Sequence, residues 1–181
     1  MHMQALSTAL LVVFAVLAAI DGIYIHLVQL RLPSRPQSWM EHVWHTLSAW
    51  LFVPIVLTVF YAPTSGLVLW LGALLVGLLY WVEVRDVRAE GASRADLGGL
   101  SRFELGLHVV LIATRTVAVA LAFASRPVEA WSPLASASFG AHPPWITTVV
   151  GGLVPGAIAV ALVHLYFAWR HRPAGCCAVP A

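Results

Sequence analysis

The sequence predicts an all-α polytopic membrane helix bundle with about five transmembrane helices. Three observations carry that expectation. Hydrophobic residues make up 60% of the 181 and charged residues only 10%, where a soluble domain carries about 25% charged. Five stretches are long and apolar enough to meet the requirement of about 20 residues for crossing the hydrocarbon core. The charges fall almost entirely between or at the ends of those stretches.

The five expected spans are Ala5 to Leu30, Trp39 to Tyr61, Leu67 to Val87, Phe103 to Ala124 and Trp145 to Trp169. The first has no basic n-region and is longer than a signal-peptide h-region, so it reads as a helix of the bundle. The fourth qualifies despite Arg115 in its middle. Together they form one domain over residues 1–172, followed by a short cytoplasmic tail, 173–181. All ten basic residues are Arg. Eight lie on one side of the expected spans: Arg31, Arg35, Arg85, Arg88, Arg94, Arg102, Arg170 and Arg172. Only Arg126 lies on the other. The positive-inside rule then puts the N-terminus outside and the C-terminus in the cytoplasm, as an integral protein of a bacterial inner membrane. The lipid bilayer is the expected partner, and nucleic acid is not. The segment from Ser125 to Pro144 reads as an irregular external loop. Cys176 and Cys177 follow the basic Arg170-His171-Arg172 and read as a reduced tail, with palmitoylation the alternative.

An internal repeat is the most informative motif. Ser38, Glu41 and His45 recur as Ser101, Glu104 and His108, each offset by 63 residues, and Arg31 and Arg94 share that offset. Helices 1–2 and 3–4 are therefore candidate parallel repeats. In the pattern S-x-x-E-x-x-x-H the glutamate and histidine lie four apart, on one helix face. The third helix brings Glu83 and Asp86 to the same depth, with Glu90 just beyond, and the first brings His26 and Asp21. Ser with Glu three residues on is also a capping box, which accounts for the serines and glutamates but not for the repeated histidines. Ionisable groups within a span default to function.

The expected site is a shared metal centre with ligands Glu41, His45, Glu104, His108, Asp86, Glu83 and His26. Carboxylates with imidazoles suit iron, manganese or zinc. This set is near that of di-iron bundles, although their motif is Glu-x-x-His, one residue shorter. Two iron ions are the expected cofactor, zinc or manganese the alternatives, and haem a weaker one. Asp21 and His26 sit about 140° apart on an ideal helix, so both reach one centre only if Gly22 permits a distortion. His42 faces elsewhere and is expected to support the site or lie at the interface. His164 is expected to pack. Arg115 lies about 16 Å along the helix from Glu104 and is expected to pair with Asp21, whose depth is similar.

The functional expectation is a membrane-embedded metalloenzyme opening toward the cytoplasm, an oxidoreductase acting on a lipophilic substrate with a redox partner. The alternatives are a zinc-dependent lipid hydrolase, a b-type haem electron carrier, and a non-enzymatic membrane subunit or ion pathway.

Overall fold

The computed structural model describes residues 2–173, so the Cys176–Cys177 pair lies outside the described residues. The chain is all-α, with five helices long and apolar enough to cross a membrane. Helix α1 spans His2–Ala19 and continues as a π-helix over Ile20–Gln29. Helix α2 spans Trp39–Ile55 and ends in a π-helical turn, Val56–Phe60. Helices α3, α4 and α5 span Gly66–Ser93, Arg102–Ala124 and Pro144–Arg170. The one substantial extension concerns α3. It runs six residues past Val87, so Glu90 is helical and lies one turn beyond Asp86.

Local chemistry explains the breaks. Two prolines, Pro33 and Pro36, each open a 3₁₀ turn between α1 and α2, where a missing N–H costs nothing. Pro54 lies inside α2 and cannot donate to the preceding turn. The π turn follows it, and Thr58 Oγ1 donates to the Pro54 carbonyl at 2.7 Å. The carbonyls left at this helix end are met from elsewhere, as helix termini require. Arg126 Nη2 donates to Val59 and Ala62 oxygens, and Thr64 Oγ1 to Thr58 oxygen. Burial of Arg126 brings its pKa down to about 10. The Ser125–Pro144 loop is more ordered than the sequence suggests. A 3₁₀ turn covers Val128–Trp131, and β2 (Ser138–Phe139) pairs antiparallel with β1 (Thr64–Ser65). Gly66, which opens α3, has φ +59°, and a Cβ there would meet the Ala135 carbonyl at 2.4 Å, so only glycine fits.

Helix α1 packs on α4 and α5, and α2 packs on α3 and α5. The apolar core, including Leu11, Ile55, Val59, Val76, Ala118 and Val150, fills one half of the bundle. The other half buries five of the eight acidic residues together with Arg94: Asp21, Glu41, Asp86, Glu90, Arg94 and Glu104 are all under a tenth exposed. The outer surface is apolar, with Leu74 69% and Val109 59% exposed. Such an outside is compatible with contact with lipid.

Three helix ends are tied together by Arg94, at the end of α3. Its guanidinium is 1% exposed. Nη1 and Nη2 grip both Glu41 oxygens at 2.8 Å, Nη2 reaches Glu104 Oε1 at 2.5 Å, and Nη1 also donates to Ser93 Oγ. Burial alone would lower the pKa of Arg94, but its bonds to Glu104 and Glu41 outweigh that and hold it above the usual value. Replacing Arg94 by Met should lower stability by about 3–5 kcal/mol, because two buried carboxylates lose their cation. Adding Glu41→Gln and Glu104→Gln should restore part of the loss. Thermal unfolding in detergent, followed by circular dichroism, checks this; a Met variant as stable as the parent would mean the clamp holds nothing.

Candidate metal centre

The site begins with the π-helix. Its i→i+5 hydrogen bonds, such as Leu30 N–H to Ile25 oxygen at 2.8 Å, bring residues five apart into register. Asp21 and His26 are five apart. The 140° separation expected of an α-helix is thereby removed, and His26 Nε2 lies 3.7 Å from Asp21 Oδ1. Gly22 is the distortion's neighbour to α5: a Cβ there would stand 3.0 Å from His164 Nε2.

Three imidazoles converge on Asp21. His108 Nε2 lies 3.5 Å from Oδ1, and His45 Nε2 lies 3.6 Å from Oδ2. The far nitrogens of the last two rings are held by α3. His45 Nδ1 donates to Asp86 Oδ2 at 2.8 Å, and His108 Nδ1 to Glu90 Oε1 at 3.0 Å. His45 and His108, 63 residues apart, make similar contacts: each is oriented by one α3 acid and offers Nε2 to one oxygen of Asp21. The His26 and His45 rings are 4.2 Å apart, and His26 and His108 5.8 Å.

With its Nδ1–H given to a carboxylate, each ring turns an Nε2 lone pair toward another carboxylate. Asp21 Oδ1, both nitrogens of His26 and His108 Nε2 have no hydrogen-bond partner and are buried. Lone pairs facing each other repel, and a buried polar atom without a partner is costly. Either extra protons or a cation between the groups relieves this. Ligand atoms about 2.1 Å from a tetrahedral ion stand about 3.4 Å apart, close to the separations around Asp21. Asp21, His26 and His108 each offer a ligand atom within 4.8 Å of the others. A carboxylate behind the ring, fixing its tautomer, is the usual support of a metal-bound histidine.

The expected ligand set is only partly assembled. His26, His45 and His108 meet. Glu41 and Glu104 instead clamp Arg94, because a buried guanidinium must be paired; Glu104 Oε1 also lies 3.8 Å from His26 Nε2. The capping reading holds for one copy: Ser101 Oγ accepts from Glu104 N–H at 3.1 Å, whereas Ser38 makes no such cap. Asp86 orients His45. Glu83 is drawn off by Arg115, in a two-pronged ion pair. The expected Asp21–Arg115 pair is thus corrected. Depth along straight helices misplaced it, since α3 supplies an acid opposite Arg115 while Asp21 turns toward the histidines. His42 Nε2 donates to the His164 carbonyl at 3.1 Å, and the two rings stack at 5.2 Å. Asp21 as the hub, Glu90 as an orienting group and Arg94 as the clamp were not assigned these roles from sequence. The equal offset of Arg31 and Arg94 was the available signal for Arg94, and Glu90 follows from Asp86 at i+4 once α3 is long enough.

A cavity of about 390 Å³ adjoins the centre. Asp21, His45, Glu90, His108 and His164 line its polar end; His26, Glu41, Arg94 and Glu104 do not reach it. Comparison with protein-family models, curated proteins and solved structures finds no match.

The pairing of Arg115 has a direct test. In detergent unfolding, Arg115→Gln and Glu83→Gln should be non-additive by about 0.5–3 kcal/mol, as partners are. Arg115→Gln and Asp21→Asn should add within about 0.5 kcal/mol. The reverse pattern would restore Asp21 as the partner.

Proposed function

We propose that the chain is an integral membrane metalloprotein whose centre is Asp21, His26, His45 and His108, and that it acts as an iron-dependent oxidoreductase on a lipophilic substrate. The observation that carries the reading is the convergence of three Nε2 atoms on Asp21, two of them oriented from behind by Asp86 and Glu90. Asp21, His26 and His108 form a two-histidine, one-carboxylate group, the donor set of non-haem iron oxygenases. With Glu41 and Glu104 committed to Arg94, the set is richer in nitrogen than the sequence implies, which weakens manganese. Zinc, with hydrolytic chemistry, is the alternative.

Charge supports a cation there. Asp21, Glu41, Asp86, Glu90 and Glu104 are buried around the single guanidinium of Arg94, leaving four surplus negative charges while the histidines are neutral. Protons on His45 and His108, beside Asp86 and Glu90, would offset two of these charges and leave two. Asp21 presents Oδ1 to His26 and His108 and Oδ2 to His45, so in a dinuclear reading it would be the carboxylate shared between the ions. Two divalent ions also match the surplus charge. Bound iron would supply electron transfer and O₂ chemistry. The protein's share is to orient the rings through Asp86 and Glu90, to shield His26, and to leave the ligand-free side facing an apolar cavity. Eight arginines on the side of the centre support an orientation with the centre toward the cytoplasm and the N-terminus outside.

Metal analysis of detergent-purified protein tests this. The parent should hold iron, two per chain for the bridged arrangement. Asp21→Asn, His26→Ala and His108→Ala should each lose most of it. Asp86→Asn and Glu90→Gln should weaken binding about 10–100-fold. Glu41→Gln should keep its metal while losing stability, since it serves Arg94. Retention of full metal by Asp21→Asn and His108→Ala together would sink the centre; zinc in place of iron would move the chemistry to hydrolysis.

A further inference from the structure

The cavity beside Asp21 is longer than a metal centre needs. Along α5 its wall runs from His164 to Gly152, twelve residues or about 18 Å of helix. Beyond the polar end its wall is apolar but for the Glu83–Arg115 pair and Ser48, and it passes Ala49 and Val160 to Phe14 and Phe52. Those two rings pack at 5.4 Å, and Leu79 and Leu153 of the apolar core complete this end of the wall. Glu83 and Arg115 neutralise each other in the wall, and Tyr80 OH bonds Thr116 Oγ1 on the same α3–α4 seam.

The cavity also reaches the outer wall between α1 and α5, as it does beside the exposed Val87 and Ile112 of α3 and α4. Val16 is 55% exposed, Gly152 and Gly156 are exposed, and all three line the cavity. A Cβ at either glycine would meet nothing within 4 Å. The opening therefore lies on the bundle's apolar side wall, part-way along the helices, where the surroundings are lipid if the helices span as their composition requires. Water-soluble ligands have no route through such a mouth. The ligand-free Asp21 Oδ1 and His108 Nε2 stand at the closed, polar end.

We propose that this cavity binds the acyl chain of a membrane lipid, entering sideways between α1 and α5 past Gly152 and Gly156, with one end of the chain at the Asp21 centre. The shape is narrow and elongated, the wall is apolar and neutral, and the mouth is edged by two residues without side chains. Each feature suits an unbranched hydrocarbon rather than a compact or charged ligand. The volume lies within the roughly 300–1,000 Å³ of small-molecule sites. The assignment rests on the metalloenzyme reading for what happens at the polar end, but chain binding itself needs no metal.

The experiment is electron paramagnetic resonance of the purified protein in nanodiscs, with doxyl-labelled stearic acid and, separately, phosphatidylcholine carrying the same labelled chain. It is done on metal-loaded protein and on protein stripped with a chelator, with metal content measured in parallel. A motionally restricted component is expected with at least one probe in the stripped protein, and the probe that gives it identifies free acid or phospholipid as the source. Gly152→Leu and Gly156→Leu should each weaken it about tenfold or more by filling the mouth. Gly77→Leu, at an exposed glycine of α3 outside the cavity, should leave it unchanged. Metal content should be unchanged in all three. No restricted component with either probe, or one untouched by both mouth substitutions, overturns the proposal. Loss of the metal reading with chain binding intact would overturn only the proposed chemistry.

Discussion

The pairing of Arg94 organises the rest of the charged half. A guanidinium that is 1% exposed must be matched by charge where it lies, because water is absent and the cost of an unpaired buried ion is several kcal/mol. Glu41 reaches it from α2 and Glu104 from α4, while the arginine itself ends α3. One group thus fixes the relative height of three helices. The consequence extends to the next turn. His45 and His108 lie four residues beyond the two glutamates, so clamping the glutamates sets both imidazoles at one depth, opposite Asp86 and Glu90. The clamp and the histidine cluster around Asp21 are adjacent layers of one construction, and the repeated spacing serves both.

The second constraint is the π-helix of α1. Ten residues in this form, Ile20–Gln29, depart from the preferred helical hydrogen bonding, and such segments are frequent at functional sites. Here the departure has a visible result: Asp21 and His26, which an α-helix would turn apart, share one centre. The absence of a side chain at Gly22 lets His164 approach, since a Cβ there would crowd its Nε2 at 3.0 Å.

The sequence carried the five helices clearly, because spans of apolar residues are set by composition and length alone. It also carried the convergence of His45 and His108, because four-residue spacing fixes a shared face. What it could not carry was the choice among partners. Glu41 and Glu104 are as suitable for iron as for arginine, and only the turn after α3, which folds Arg94 back between them, decides. Glu83 was likewise indistinguishable from Asp86 by depth, although Arg115 takes the first and His45 the second. Asp21 was assigned to Arg115 on the assumption of a straight α-helix, and the π-helix removed the premise. The glycine-edged mouth had no signal at all in the spacing, since Gly152 and Gly156 resemble any small pair in an apolar helix.

The cavity then divides the acidic groups by task. Glu41, Glu104 and Arg94 are sealed from it, and so is His26. Asp21, His45, Glu90 and His108 border it. A centre open on all sides would exchange its ions and expose its acids, and one closed on all sides would admit nothing. Here the arginine layer closes the end of the bundle while the apolar cavity leaves one approach to Asp21. The carboxylates that do not face the cavity are neutralised by a fixed guanidinium. Of those that do face it, Glu83 is paired with Arg115, while Asp86 and Glu90 are met by imidazoles whose second nitrogens point inward at Asp21. An ion held there would be reached from lipid and not from water, which joins the chemistry of the donor set to the kind of molecule that can approach it.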